Sequence, residues 1–250
     1  AREVQEAFLP QQYPTFPEGV APQKSALRFH PRYLPTATVG GDFFDVLRLS
    51  DTEAGVFICD VMGHGVRAAL VTAIVRGLVE ELRPLATRPG EYLTGINRGL
   101  VSILRQTKMP MFASAYYLIA DVGRGQIRFA NAGHPSPYLL RRNRSVVESL
   151  RGDDAKPGPA LGVFDDSEYV TATRPLAARD IVMLYTDGVY EVDSRDGEQF
   201  GQERLHEVVS RLARCEPAEL LDGLLAEIQQ YAGGNQFIDD VCLVGVEAAQ

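Results

Sequence analysis

The chain has 250 residues, 45% hydrophobic and 23% charged, with a formal net charge of −8. Those are the proportions of an ordinary globular protein with room for a sizeable core, and one large domain is the expectation. The acidic balance argues against a general affinity for nucleic acid or an anionic membrane, which both call for a basic face, and it is compatible with cations.

The opening AREVQEAFLP reads as the last turns of an amphipathic helix, with Val4, Phe8 and Leu9 on one side and Pro10 as its stop. The chain starts at Ala1 rather than Met, and such a stub is expected of a helix arriving from an upstream segment. A Pro-rich, irregular connector runs to Gln23, so residues 1–23 are expected to precede a single domain spanning 24–250. Strand-like segments follow: ALRFHPRYL, DFFDVLRL and GVFICDV, the last an apolar run typical of a strand buried on both faces. Helical spacing covers residues 66–82, with Leu70, Ala73, Ile74, Leu78 and Leu82 apolar and Pro84 just beyond, and then residues 91–106. FASAYYLIADV, QIRFANAG, PYLLRR and SVVESL return to the strand pattern, and a break centred on Asn143 joins the last two as a hairpin. After a Gly/Pro/Asp-rich loop come strand-like EYVTATRPL and DIVMLYTDG, helices over residues 202–212 and 217–231, and a final strand DVCLVGVE. Grouped strands with helices in pairs, in place of strict alternation, predict an α+β fold of stacked sheets.

Cys59, Cys215 and Cys242 lie far apart without paired or zinc-binding spacing, as expected of reduced thiols in a cytoplasmic protein. No stretch approaches the roughly 18 apolar residues of a membrane span, so no membrane insertion is expected.

Acids recur at the ends of the strongest strands: Asp42 and Asp45 in GGDFFDV, Asp60 in FICDVMGHG, Asp187 in VMLYTDGV, and Asp239 with Asp240 in FIDDVCLV. Each alone reads as a turn former that stops a strand. Together they ask for more, because four strands would each end in an acid beside residues destined for burial, where uncompensated carboxylates repel and resist ionisation. A hard divalent cation resolves that conflict, and all-oxygen ligation without a His or Cys cluster suits Mg²⁺ or Mn²⁺ rather than zinc. If Asp42, Asp60, Asp187 and Asp239 converge, they carry charge enough for two such ions, which at about 3.5–4 Å can share a water and aim it at phosphorus. The glycines fit this chemistry. Those of VGGDFFD leave room beside Asp42, and DVMGHGVRAAL leads from a strand into a helix N-terminus, a place suited to anions. His64 reads equally as an exposed loop histidine and as an acid–base group.

VGGDFFDV, ICDVMGHGVRAAL, FANAGHPSPYLL, PALGV, LYTDGVYE and IDDVCLV, in this order, resemble the sporulation and stress-response branch of the bacterial metal-dependent (PPM) protein serine/threonine phosphatases. The resemblance covers about residues 25–247. It implies a four-layer α/β/β/α sandwich: two stacked antiparallel sheets flanked by antiparallel helix pairs, with two Mn²⁺ or Mg²⁺ ions at one end. It implies that Asp60 bridges both ions, that the Val61 carbonyl binds one, and that Asp187 and Asp239 complete the core, with Asp42 beside them as a ligand or through water. These acids would act in catalysis through a metal-bound water. Asp240 would fall outside the ligand set, Asp45 is left open, and Asn131 and His134 of NAGH would shape the surroundings.

The implied substrate is a phosphoserine or phosphothreonine on a small anti-sigma-factor antagonist, within stress or developmental signalling. The resemblance further implies an upstream regulatory domain or activator, a switch role for the helices at 66–82 and 91–106, and dimerisation through the N-terminal linker helix. Two departures from eukaryotic members stand out. Val61 and Met62 separate Asp60 from GHG, so the acid role of the eukaryotic histidine does not transfer to His64, and Ala37 stands where a phosphate-gripping arginine is expected. Two other readings compete. A nucleotide cyclase of the Gly-Gly-Asp-Glu-Phe type would need Glu where Phe43 stands and predicts neither TDG nor IDD. A catalytically silent phosphatase-like sensor keeps the fold, but all four core acids are present.

Overall fold

Ten strand-like stretches become ten strands in a computed structural model that describes residues 9–36, 40–105, 110–152, 157–233, 237 and 239–249. Residues 1–8 of the stretch expected to be helical, and Ala37, lie outside the described residues. The strands are β1 (Leu27–Leu34), β2 (Phe43–Arg48), β3 (Glu53–Val61), β4 (Ala113–Asp121), β5 (Gln126–Ala132), β6 (Tyr138–Arg141), β7 (Val146–Ser149), β8 (Ala172–Pro175), β9 (Ile181–Tyr185) and β10 (Val241–Ala248). They form two five-stranded sheets of order β1-β10-β9-β6-β7 and β2-β3-β4-β5-β8, with every pairing antiparallel. The helices are α1 (Val66–Glu81), α2 (Pro89–Leu104), α3 (Gly201–Leu212) and α4 (Pro217–Tyr231).

Side-chain alternation assigns each strand two jobs. On β3, Val56 and Ile58 point into the core between the sheets, while Phe57 and Cys59 point outward under α1 and α2. On β9 and β10, Val182, Leu184, Cys242 and Val244 fill the inter-sheet core, and Ile181, Met183, Val241 and Leu243 pack under α3 and α4. Three apolar layers therefore separate four layers of backbone, the expected α/β/β/α sandwich. Both faces of the central strands are covered, which is why GVFICDV reads as a continuous apolar run rather than an alternating one.

The structure departs from the sequence reading in two places. Residues 168–171 do not join the sheet. Their polar groups serve α2 instead: Thr94 Oγ1 accepts from Tyr169 N at 3.1 Å and Thr171 Oγ1 accepts from Gly90 N at 2.9 Å, which leaves only Ala172–Pro175 as strand. Leu70, apolar at helical spacing, is 62% exposed, as is Val66 at 67%, because α1 buries the face carrying Ala68, Val71, Val75 and Val79. The irregular connector before residue 24 is anchored to the sandwich. Phe16 is fully buried in the inter-sheet core, its amide donates to Ser25 Oγ at 2.9 Å, and its carbonyl accepts from Ala26 N at 2.8 Å.

Replacing Phe16 by Ala should remove a plug from the inter-sheet core and destabilise the domain by about 3–5 kcal/mol. Urea denaturation followed by tyrosine fluorescence would show it as a lowered midpoint with little change in slope.

Candidate metal centre

The inward-facing alternation does not end where the apolar residues end. Phe44, Ile58, Leu184 and Cys242 all point into the inter-sheet core, and two residues further toward the same end of the sandwich that parity reaches Asp42, Asp60, Thr186 and Asp240. Carboxylates thus occupy the positions that the next layer of the core would take. Asp42 is 3% exposed, and Thr186 Oγ1 donates to its Oδ2 at 2.6 Å, a bond that joins the two sheets. Thr186 Oγ1 in turn accepts from Cys242 N at 3.0 Å.

The two glycines of GGDFFD are explained by what lies against them. A Cβ on Gly40 would stand 1.7 Å from Asp240 Oδ2, and one on Gly41 would stand 2.6 Å from the Val61 carbonyl oxygen. Asp240 is a structural clamp on this segment: Oδ1 accepts from Thr36 N (2.9 Å) and Thr36 Oγ1 (3.1 Å), and Oδ2 accepts from Gly41 N (2.9 Å). Thr72 of α1 holds the same segment from the other side by donating to the Gly41 carbonyl at 3.0 Å.

The acids perturb one another. Burial, followed by the neighbouring Asp60 charge, pushes the Asp42 carboxyl well above the ordinary carboxylate range, against the opposing pull of the Thr186 hydroxyl. Asp60 is raised to about 7, first by burial and then by Asp187 and Asp239, while a hydrogen bond with Asp42 acts the other way. Asp187 opens a single 3₁₀ turn (Asp187–Val189) after β9 and is raised to about 6 by burial, Glu191 and Asp239. Asp239 is exposed at the rim, where its Oδ1 accepts from Asp240 N at 2.8 Å. Asp45 has the opposite parity and faces α1, with Arg76 Nη2 at 3.5 Å, so the structure separates it from the other acids.

Among the described residues, no three acidic, His or Cys side chains are drawn together as a finished metal cage. The carboxylates stand at the ends of their separate strands, an arrangement that like charges favour. Their chemistry nonetheless fits a hard divalent cation. The donors are carboxylate and carbonyl oxygens, and Asp42, Asp60 and Asp187 are carboxyls raised by burial and by like charge, whose ionised forms a nearby cation would favour. Soft ligands are not on offer, because burial pushes the thiols of Cys59 and Cys242 up and keeps them neutral.

Asp60 and Asp187 line an open cleft of about 520 Å³ together with Met62, Ser114, His134, Ser136, Arg151, Tyr190 and Gln202. His134 is buried, with Nδ1 2.7 Å from Ser114 Oγ, and burial pushes its pKa down to about 3, so it is a neutral wall. Asn131 shapes that wall, accepting from His134 N at 2.8 Å and donating to the His134 carbonyl at 2.9 Å. His64 is exposed between Gly63 and Gly65, both at positive φ, and does not line the cleft. Thr186 and Thr72 went unnoticed in the sequence. Thr186 could have been found by continuing the period of two from Leu184, whereas nothing local signals Thr72.

The sequence model of the Stage II sporulation protein E (SpoIIE) family matches residues 50–249. Protein IcfG of Synechocystis sp. is 26% identical over 270 residues, covering 98% of this chain and 40% of that protein. Phosphoserine phosphatase RsbP of Bacillus subtilis is 24% identical over 216 residues, covering 86% of this chain and 51% of that protein. The chain thus spans about half of the length of one of these relatives and less of the other. Among solved structures, the SiaA-PP2C domain of Pseudomonas aeruginosa superposes with a TM-score of 0.81 at 24% identity, covering 98% of this chain and 93% of that one.

A carboxyl whose pKa is raised by folding favours the folded state while protonated and opposes it once ionised. That contribution fades as pH climbs from the ordinary 3.8 to about 7 for Asp60. Metal-free protein should therefore melt at a lower temperature at pH 7.5 than at pH 5.5 in calorimetry. Mn²⁺ at pH 7.5 should raise the melting temperature, and Asp60→Asn should shrink the pH difference.

Proposed function

The chain belongs to the SpoIIE family of PP2C-fold domains, and on that footing we propose that it is a metal-dependent protein phosphatase acting on phosphoserine or phosphothreonine. The observation that supports this most is the continuation of the inter-sheet core into acids, Asp42 and Asp60, with Asp187 lining the same cleft as Asp60, each raised first by burial and then by neighbouring carboxylates. Two cations, Mn²⁺ or Mg²⁺, would be held by Asp42, Asp60, the Val61 carbonyl, Asp187 and Asp239. When bound, they would supply Lewis-acid polarisation of the phosphoryl oxygens and an acidified water as nucleophile.

The chain's own residues do the remaining work. Asp60 and Asp187 present carboxylates to the open cleft, while Asp42 sits behind them, oriented by Thr186. Gly41 leaves the Val61 carbonyl its place. His134 and Ser114 close one wall without adding charge, so the approach of an anionic ester meets no further carboxylate there. Thr72 and Arg76 tie α1 to the segment bearing Asp42, which supports the reading of α1 as the element through which an upstream domain or activator adjusts the centre.

The substrate class follows from the relatives, of which one is named a phosphoserine phosphatase. A small anti-sigma-factor antagonist is the proposed phosphoprotein, within bacterial stress or developmental signalling. Dimerisation through the N-terminal helix rests on residues outside those described. No helix among the described residues is long and apolar enough to cross a membrane.

Release of p-nitrophenol from p-nitrophenyl phosphate should require Mn²⁺ or Mg²⁺ and stop with chelator. Asp60→Asn and Asp187→Asn should each lower it by about a hundredfold or more. Turnover indifferent to chelator would refute the assignment, and calorimetric titration of Mn²⁺ into the same variants would show whether ion binding is lost along with activity.

A further inference from the structure

The cleft over Asp60 and Asp187 has one permanently positive side chain in its lining among the described residues, Arg151, just after β7. Residues 35–47, 181–194 and 237–249 hold neither Lys nor Arg, and the first cation after Asp60, Arg67 in α1, does not line this cleft. His134, the other basic side chain of the lining, is buried and neutral.

Arg151 is also placed at a crossing. With Ser136 it lines a second depression along β6 and α3, past Tyr138 and His206, and a third between Tyr116 and Tyr169. A phosphorylated side chain reaching Asp60 and Asp187 would lead its polypeptide out across this junction. The guanidinium is held at its base, with the backbone amide donating to the Ser149 carbonyl and Nε donating to Ser149 Oγ, both at 3.0 Å. Among the described residues no carboxylate pairs with it, so its two terminal nitrogens remain available for an oxyanion. A planar fork of donors at the edge of an acidic cleft is suited to a phosphoryl group or a carboxylate.

We propose that Arg151 is the oxyanion-binding, specificity-determining residue of this cleft, engaging either the phosphoryl group of the substrate or a carboxylate flanking it on the polypeptide. The proposal rests on the phosphatase reading. It gives the cleft an anion contact that owes nothing to the metal ligands.

The test compares wild type with Arg151→Ala and Arg151→Lys, in Mn²⁺, on three substrates: p-nitrophenyl phosphate, a phosphoserine peptide with acidic flanks, and the same peptide with alanine flanks. For the acidic peptide, kcat/KM should fall about tenfold to a hundredfold in Arg151→Ala, mostly through KM, with partial recovery in Arg151→Lys. A loss shared by all three substrates assigns Arg151 to the phosphoryl group, and a loss confined to the acidic peptide assigns it to the flanking carboxylate. Kinetics indistinguishable from wild type on every substrate overturn the proposal. Calorimetric binding of the acidic phosphopeptide separates the two readings. If wild type turns over nothing, the phosphatase reading fails, and Arg151 is then judged by binding alone: weaker binding in Arg151→Ala retains the anion site, and equal binding removes it.

Discussion

Repulsion among carboxylates at one end of the inter-sheet core is the constraint around which this domain is arranged. Two sheets packed face to face ordinarily close their core with apolar side chains, and here the inward positions after Phe44 and Ile58 are Asp42 and Asp60. Burial and proximity keep protons on these acids at pH values where a surface aspartate has none. Such an end is unfavourable in isolation and becomes favourable with a cation. Local stability and function are therefore in tension there, as is common where a site needs an arrangement the fold alone does not prefer.

Much of the surrounding structure counters that unfavourable end. Thr186 reaches from β9 to hold Asp42 and ties the two sheets where repulsion would separate them. Asp240, although acidic, acts as an acceptor for three donors around the Gly40–Gly41 turn, so its buried oxygens are hydrogen-bonded. On the far side of β2, Asp45 stands beside Arg76 of α1, which opposes the effect of its burial. The six acids singled out in the sequence thus divide by environment. Asp42, Asp60 and Asp187 are raised by burial and by nearby carboxylates, Asp239 stands exposed at the rim and contributes to raising Asp60 and Asp187, Asp240 is engaged by backbone and Thr36 donors, and Asp45 faces Arg76.

The close packing at Gly40 and Gly41 also disposes of a superficial likeness. In GGDFF the glycines accommodate the Asp240 carboxylate and the Val61 carbonyl, contacts within the sandwich itself. A nucleotide-binding reading of the same letters has no use for either contact. The α/β/β/α layering, the antiparallel sheets and the SpoIIE family match leave the phosphatase reading as the one that accounts for TDG and IDD as well.

Most strands and all four described helices were legible in the sequence, because periods of two and 3.6 are local consequences of which face is buried. The acids at strand ends were legible for the same reason: a polar residue interrupting an apolar run is visible without coordinates. Tyr169 and Thr171, by contrast, sit in a strand-like stretch and are claimed by α2, since the partners that outbid the sheet lie some 80 residues away in sequence. Leu70 has helical spacing but lies on the side of α1 that nothing in the described structure covers. The roles of Thr72, Thr186 and Arg151 depend on distances between segments far apart in the chain. By itself the sequence determined the α+β fold of stacked sheets and the family. Only the tertiary structure decided which acids share an environment, what holds them in place and which arginine lines their cleft, because parity is a local property whereas electrostatic environment is the sum over everything the fold brings near.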